Sequence, residues 1–359
     1  MRAVLSWAGM LVVTLLVVAT ALVQGALVQG ALLQGASAQG SLREPLNPRV
    51  TLKMGAVGAL SDAGIFVALD RGFFKAEGLD VELVTFKNGP QIIPSLATGQ
   101  TQVSGATVSP SLFNAFARGV DIKLVTDKGQ VSKGFGWAAL VVRSDLAGTI
   151  KDYKDLKGRR IALPTRNVSL STQLAKALEM GGLTVDDVDL AEIGFAEMMP
   201  AFVNRAIDVA VVIEPFTALL AERKIAVRWR GVEDYYPFKA QNGVVLYAEK
   251  FMRQQPDAAR RWMVGYLRGV RTYQQALSSG QEIDAIYATL AKHTDVKDRS
   301  LYPKMQPVDL ALDGRMETRS LEWDQDWFIK LGLQRERADL AKVIDYQYVD
   351  YAAEQLGRR

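Results

Sequence analysis

The sequence predicts an α/β protein in which mostly parallel strands are joined by helices. Three observations carry this. Between Gly64 and Gly119 short strand runs alternate with helical stretches that glycines stop. Several strand runs further on, such as Asp208 to Ile213, are apolar almost throughout. The chain has 359 residues, 49% of them apolar, which is enough for two ordinary domains with substantial cores.

Met1-Arg2 and the apolar run Ala3 to Val23 form a charged start and a hydrophobic core, and Ala36-Ser37-Ala38 supplies small residues for cleavage. Residues 1–38 therefore read as a secretory signal. Within it and just beyond, Ala21 to Gly40 is a pentapeptide array, ALVQG, ALVQG, ALLQG, ASAQG. The same run is long enough to be read as an uncleaved membrane anchor. Residues 39–49, with Pro45 and Pro48, read as a short exposed leader.

Val50, Leu52, Met54 and Ala56 alternate with other residues as a first strand, and Gly58 to Asp62 is the loop after it. Ile65, Phe66 and Leu69 have helical spacing, and Val81 to Thr85 is the next strand. Gly89-Pro90 opens a helix that closes near Gly99. Gln102 to Ala106 is a buried strand, followed by Ser109-Pro110, a capping residue with proline in the first helical turn. Ile122 to Thr126 is a further strand, and Lys128 to Trp137 reads as a glycine-containing loop leading into the strand Ala138 to Arg143.

The count restarts with the strand Ile161 to Leu163 and the loop Pro164 to Val168, then a helix that Gly181 or Gly182 ends. Val188 to Ile193, a helix across Glu197 to Ala206, Asp208 to Ile213, a helix opened by Glu214-Pro215, and Val227 to Arg230 complete the set. Gly243 to Ala248 is a second long apolar strand. Pro256 to Leu277 is the best helix, with Trp262, Tyr266, Val270 and Tyr273 as its core stripe. The remainder is helical, with Trp323 and Trp327 on one face.

Net charge is +4 with scattered arginines, which argues against a nucleic-acid surface. The absence of cysteine excludes disulfides, thiolate metal sites, a cysteine nucleophile and a lipid anchor on cysteine. Gly134 to Ala139 fits G-x-G-x-x-A, but it precedes a strand where a dinucleotide fingerprint must follow one. No phosphate-binding loop of the G-x-x-x-x-G-K-[ST] type occurs. The single histidine, His293, sits among charged residues in what reads as a solvated helix end, so no cofactor and no metal site are expected.

GFFKAEGLDVELV from Gly72, GQTQVSGATVSPSLFNAFARG from Gly99, DLKGRRIALP from Asp155 and Glu214-Pro215-Phe216 occur in that order. They resemble the NitT/TauT (SsuA/THI5-like, NMT1-like) family of periplasmic substrate-binding proteins of ABC transporters, over most of Val50 to Gly357. The resemblance implies a type II two-lobe binding protein. Lobe 1 would comprise residues 50–143 and 243–359, lobe 2 residues 144–242, with Ala138 to Arg143 and Gly243 to Ala248 as hinge strands. It also implies a periplasmic monomer, not an enzyme, that binds a small solute such as a sulfonate, taurine or nitrate and delivers it to a membrane permease with a separate ATPase. The alternatives are a ligand sensor for a membrane receptor and a THI5-like pyrimidine synthase; the latter's cysteine-rich motif is missing.

Open α/β folds bind ligands beyond the carboxyl ends of their strands, where helix starts gather. The candidates on the first side are Ser61, Asp62, Gly89, Gln91, Thr107, Ser109 and Ser111. On the second they are Thr165, Arg166, Asn167, Ser169, Phe195, Glu197, Glu214 and Phe216, with Trp137 and Phe135 as walls. Helix N-termini favour anions, so Arg166 is expected to anchor an anionic or zwitterionic solute while Glu214 holds any amine. The bland alternative pairs Arg166 with Glu197 or Glu214 and leaves Ser109 a helix cap.

Overall fold

A computed structural model describes residues 44–86 and 91–358. The signal segment, residues 39–43 of the leader and Gly89 lie outside these residues. Ten strands form two five-stranded sheets. The first holds β1 (Val50–Ala56), β2 (Leu79–Thr85), β3 (Val103–Thr107), β4 (Ile122–Val131) and β10 (Ala240–Ala248), in the order β2-β1-β3-β10-β4. The second holds β5 (Ala138–Arg143), β6 (Arg160–Leu163), β7 (Asp189–Glu192), β8 (Val209–Ile213) and β9 (Ala226–Gly231), in the order β7-β6-β8-β5-β9.

Each sheet has a parallel trio and one inserted antiparallel strand. β1 pairs in parallel with β2 and β3, and β10 runs antiparallel between β3 and β4. β6 pairs in parallel with β7 and β8, and β5 runs antiparallel between β8 and β9. The chain therefore passes from the first sheet to the second between Val131 and Ala138, and returns between Gly231 and Ala240.

The core of the first lobe is built where the long helix Pro256–Ser279 crosses the helix Ala63–Asp70. Trp262, Tyr266, Val270 and Tyr273 are buried there, as their spacing predicts. The crossing is close because glycines meet: a Cβ on Gly269 would collide with the Gly64 carbonyl, and one on Gly64 would stand 2.7 Å from Val270 Cγ2. Stacked rings continue this core, with Phe74 and Tyr266 on either side of Trp262.

Several boundaries differ from the sequence reading. β4 runs to Val131, so Asp127 to Gln130 are strand rather than loop, and β10 begins at Ala240 rather than Gly243. The polar residues of both extensions are buried, and three of them bond one another: Gln241 Nε2 donates to Asp127 Oδ1 at 2.7 Å, and Gln130 Nε2 donates to Gln241 Oε1 at 3.1 Å. The leader's end is not free of the fold either, since the Leu46 N–H donates to the Glu77 carbonyl at 3.3 Å. On the helix Thr318–Lys330 the core face is Leu321, Asp324, Gln325 and Phe328, and Trp323 and Trp327 flank it half-buried. His293 is half-buried rather than solvated: it stacks on Phe66 at 4.8 Å and its Nε2 lies 2.8 Å from Asp70 Oδ1.

Candidate functional site

The strands β1, β3 and β4 run in one direction in the first sheet, and β6, β7 and β8 run in one direction in the second, so the helix starts that follow them gather at one end of each sheet. After β1, the loop reaches Ser61 and Asp62, both buried. They do not face open space. Lys128, on β4, donates to Ser61 Oγ at 2.9 Å and to Asp62 Oδ1 at 2.8 Å, while Asp62 Oδ2 accepts the Ala59 N–H at 3.0 Å. Sequence reasoning placed Lys128 in a loop and so missed it.

After β3, Thr107 is half-buried opposite Gly243, and Ser109 caps the helix Pro110–Ala117. Ser109 Oγ accepts the Leu112 N–H at 3.4 Å and lies 2.9 Å from Ser111 Oγ, so these hydroxyls are locally engaged. Gln91 is exposed at the start of the helix Ile92–Ala97. Trp137, 5% exposed, donates Nε1–H to the Gln130 carbonyl at 2.9 Å and belongs to the core where the chain changes sheets.

After β6, the helix Ser169–Met180 brings its first turns against the elements of the first sheet. The Ser169 N–H donates to the Val108 carbonyl at 3.2 Å. One turn on, Gln173 Nε2 donates to Asn242 Oδ1 at 2.6 Å, and Thr172 bonds Asp324. Ser169 Oγ and Gln173 Oε1 are buried with no partner among the described residues, and both residues are only 1% exposed. A buried polar atom without a partner forfeits about 1–3 kcal/mol, so a bonding group from outside the chain would be stabilised there. Neither Gln173 nor Asn242 was a candidate from sequence, because each sits inside a regular element.

Arg166 departs from expectation. Its side chain is exposed and turns to the edge of the second sheet, where Nε lies 3.4 Å from Glu192 and Nη2 donates to the Leu190 carbonyl at 3.3 Å. It pairs with neither Glu197 nor Glu214. Asn167 is exposed and Thr165 half-buried, the Asn167 N–H donating to Thr165 Oγ1 at 3.3 Å. Glu197 is exposed in the first turn of the helix Phe195–Val203 and folds back over Gly194, where a carboxylate suits the helix start. Phe195 and Phe216 begin neighbouring helices and stack at 5.3 Å, both half-buried.

Glu214 is 3% exposed and sits where β8 passes into the helix Phe216–Glu222. Its Oε2 accepts the Ala218 N–H at 3.0 Å and its Oε1 the Gln306 N–H at 3.1 Å. Burial pushes its carboxyl up to about 7, against the pull of those two N–H groups and of Arg228. Asp127 is likewise raised by burial, to about 6. Among the described residues no group of three potential metal ligands gathers, and no helix is long and apolar enough to cross a membrane.

Two mixed five-stranded sheets flanked by helices, with the chain crossing twice between them, are the fold of type II periplasmic binding proteins. Residues 61–282 match the NMT1/THI5 like family, and the chain belongs to it. It is 27% identical over 303 residues to the riboflavin-binding protein RibY of Chloroflexus aurantiacus, covering 81% of this chain and 77% of that protein. Among solved structures it is similar to the alkanesulfonate-binding protein SsuA of Xanthomonas axonopodis pv. citri bound to MOPS, with a TM-score of 0.64, 20% identity, and 85% of this chain and 100% of that one covered. The desulfurization enzyme DSZB shares the fold at a TM-score of 0.62 and 17% identity, over 86% of this chain and 100% of that one.

Proposed function

We propose that this protein is the periplasmic solute-binding component of an ABC importer, exported by a signal cleaved after Ala38, acting as a monomer and handing its solute to a permease with a separate ATPase. The solute is a small anionic or zwitterionic organic molecule held between the lobe of the first sheet and the lobe of the second, which close on it about the two crossings. The observation that carries this reading is the pair Ser169 Oγ and Gln173 Oε1, buried without protein partners on a helix that starts at the cleft. A helix start favours the anionic end of a solute, and the glutamine carbonyl favours a donor such as an amine. The binding proteins among its relatives support a receptor rather than an enzyme.

A second reading is favoured by the half-buried Phe195–Phe216 stack and by the riboflavin-binding relative: a flat aromatic solute lying on those rings. Thermal-shift screening against taurine, MOPS, nitrate and riboflavin tests both. A solute at a hundred times its dissociation constant stabilises by about 2.7 kcal/mol, an easily read shift. Absence of a shift with every sulfonate, amino-sulfonate and nitrate, alongside a shift with riboflavin, replaces the first reading by the second.

A further inference from the structure

The segment Met305–Val308 follows the turn Arg299–Lys304 and bonds to elements of both lobes. On its own lobe the Val308 N–H donates to Tyr273 Oη at 3.1 Å, and the next residue, Asp309, exchanges backbone bonds with Gln130 of β4. On the other lobe the Gln306 N–H donates to Glu214 Oε1, and Lys304 pairs with Glu222 of the Phe216–Glu222 helix. The segment also roofs a cavity of about 120 Å³ whose walls include Leu60, Tyr273, Tyr287, Leu290 and Tyr302.

We propose that Met305–Val308 is a strap through which the first lobe holds the second closed, with Glu214 as the clasp; this rests on the receptor reading above, in which the lobes part and close. Three features suit the role. The other oxygen of Glu214 is held by the Ala218 N–H of its own helix, so the clasp stays aimed when the strap leaves. Arg228, whose charge draws on the Glu214 carboxyl, is engaged elsewhere, donating to the Gly136 carbonyl and to Glu233, so it does not compete for Oε1. The cavity beneath leaves the strap room to shift, which a close-packed interior would resist. Opening then breaks this charge-assisted bond together with the Ser169–Val108, Gln173–Asn242 and Thr172–Asp324 bonds, and bound solute supplies the bias that keeps them made.

The chain has no cysteine, so cysteines introduced as Lys75→Cys on the first lobe and Met180→Cys on the second, both exposed positions, carry unique spin labels. Distance distributions from electron double resonance on the solute-free protein read the open and closed populations. Gln306→Pro removes the donor from one side; Met305 at φ −82 and ψ 151 already has the extended backbone that precedes proline. Glu214→Gln removes one acceptor from the other side. Each raises the open-to-closed ratio about tenfold, the effect of losing one charge-assisted hydrogen bond. If Glu214→Gln does not fold, Gln306→Pro alone decides. Distributions unchanged from the parent in the folded variants overturn the strap. Titrating the same samples with MOPS and riboflavin separates the two failures: binding with unmoved variants removes the strap alone, whereas no binding and one fixed distance throughout removes the receptor reading with it.

Discussion

Lys128 reaches Asp62 through a channel that two glycines leave open. A Cβ on Gly105 would stand 2.5 Å from Lys128 Cδ, and one on Gly243 would stand 3.2 Å from its Cε. The lysine therefore lies across β3 and β10, with its ammonium 2.8 Å from a carboxylate that is 0% exposed. Neutralising one member of such a pair leaves the other charge buried alone, so Lys128→Met should lower unfolding free energy by about 3–5 kcal/mol. Gly105→Ala should cost about 1–3 kcal/mol by overpacking the same channel. Urea unfolding of both variants checks this. A Lys128→Met protein as stable as its parent would mean that the buried pair contributes nothing to the fold.

Glu214 gives the stability an unusual pH dependence. Its carboxyl is raised to about 7 in the folded chain, above the ordinary 4.5, so the folded state binds the extra proton between those values. The sign follows: this contribution is present at low pH and is lost as pH rises from about 4.5 through 7. Relative to Glu214→Gln, which has no such titration, the parent should lose about 2–4 kcal/mol between pH 5 and 8. Paired melts across that range measure the difference. A gap independent of pH would show that the carboxylate is ionised throughout.

The alternation of elements was legible because apolar runs and glycine stops report backbone directly; β1, β5, β8 and the helix from Pro256 fall where the sequence places them. β4 and β10 were cut short for a physical reason. Asp127, Lys128, Gln130, Gln241 and Asn242 are buried polar residues within strands, and Asp127, the Gln130 amide N–H and Gln241 find partners more than a hundred positions away. Local pattern cannot distinguish that from a solvated loop. The candidate site shows the same limit. Helix starts at Ser109 and Ser169 were readable from caps and prolines, but the direction of Arg166 was not. It depends on strand register: Leu163 of β6 pairs with Glu192 of β7, which sets an acid beside the chain as it leaves the strand.

Arg166→Ala should accordingly do little to the solute-free protein. The pair with Glu192 has both side chains about half exposed, and such pairs contribute about 0–1 kcal/mol. Solute affinity should change modestly as well, since the guanidinium lies at the sheet edge. Ser169→Ala is the contrasting variant: it removes a buried hydroxyl that has no protein partner, so stability should hold while affinity falls by about 0.5–1.5 kcal/mol for one hydrogen bond. Calorimetric titration of the two variants with the best solute from the screen decides. A large loss in Arg166→Ala with none in Ser169→Ala would restore Arg166 as the anchor.

The last prediction separates the two solute classes by ring and by amide. Phe216 stacks on Phe195 at 5.3 Å where two helices begin, whereas Gln173 faces Asn242 on the opposite lobe. A flat aromatic solute draws its affinity from ring contact, and Phe216→Leu, which keeps bulk but removes the face, should then weaken it by about 0.5–1.5 kcal/mol. Gln173→Leu should matter less for that solute. A zwitterion reverses the order, because its amine needs the Gln173 carbonyl and gains little from a ring stack; Gln173→Leu should cost it about 1–3 kcal/mol. Neither change is expected to leave the apo protein fully unperturbed. Gln173→Leu strands Asn242 Oδ1, so its melting temperature without solute must be measured beside the affinity. Equal losses for both variants with one solute would mean that it spans the cleft from the Phe195–Phe216 stack to Gln173, and would rule out a site confined to either end.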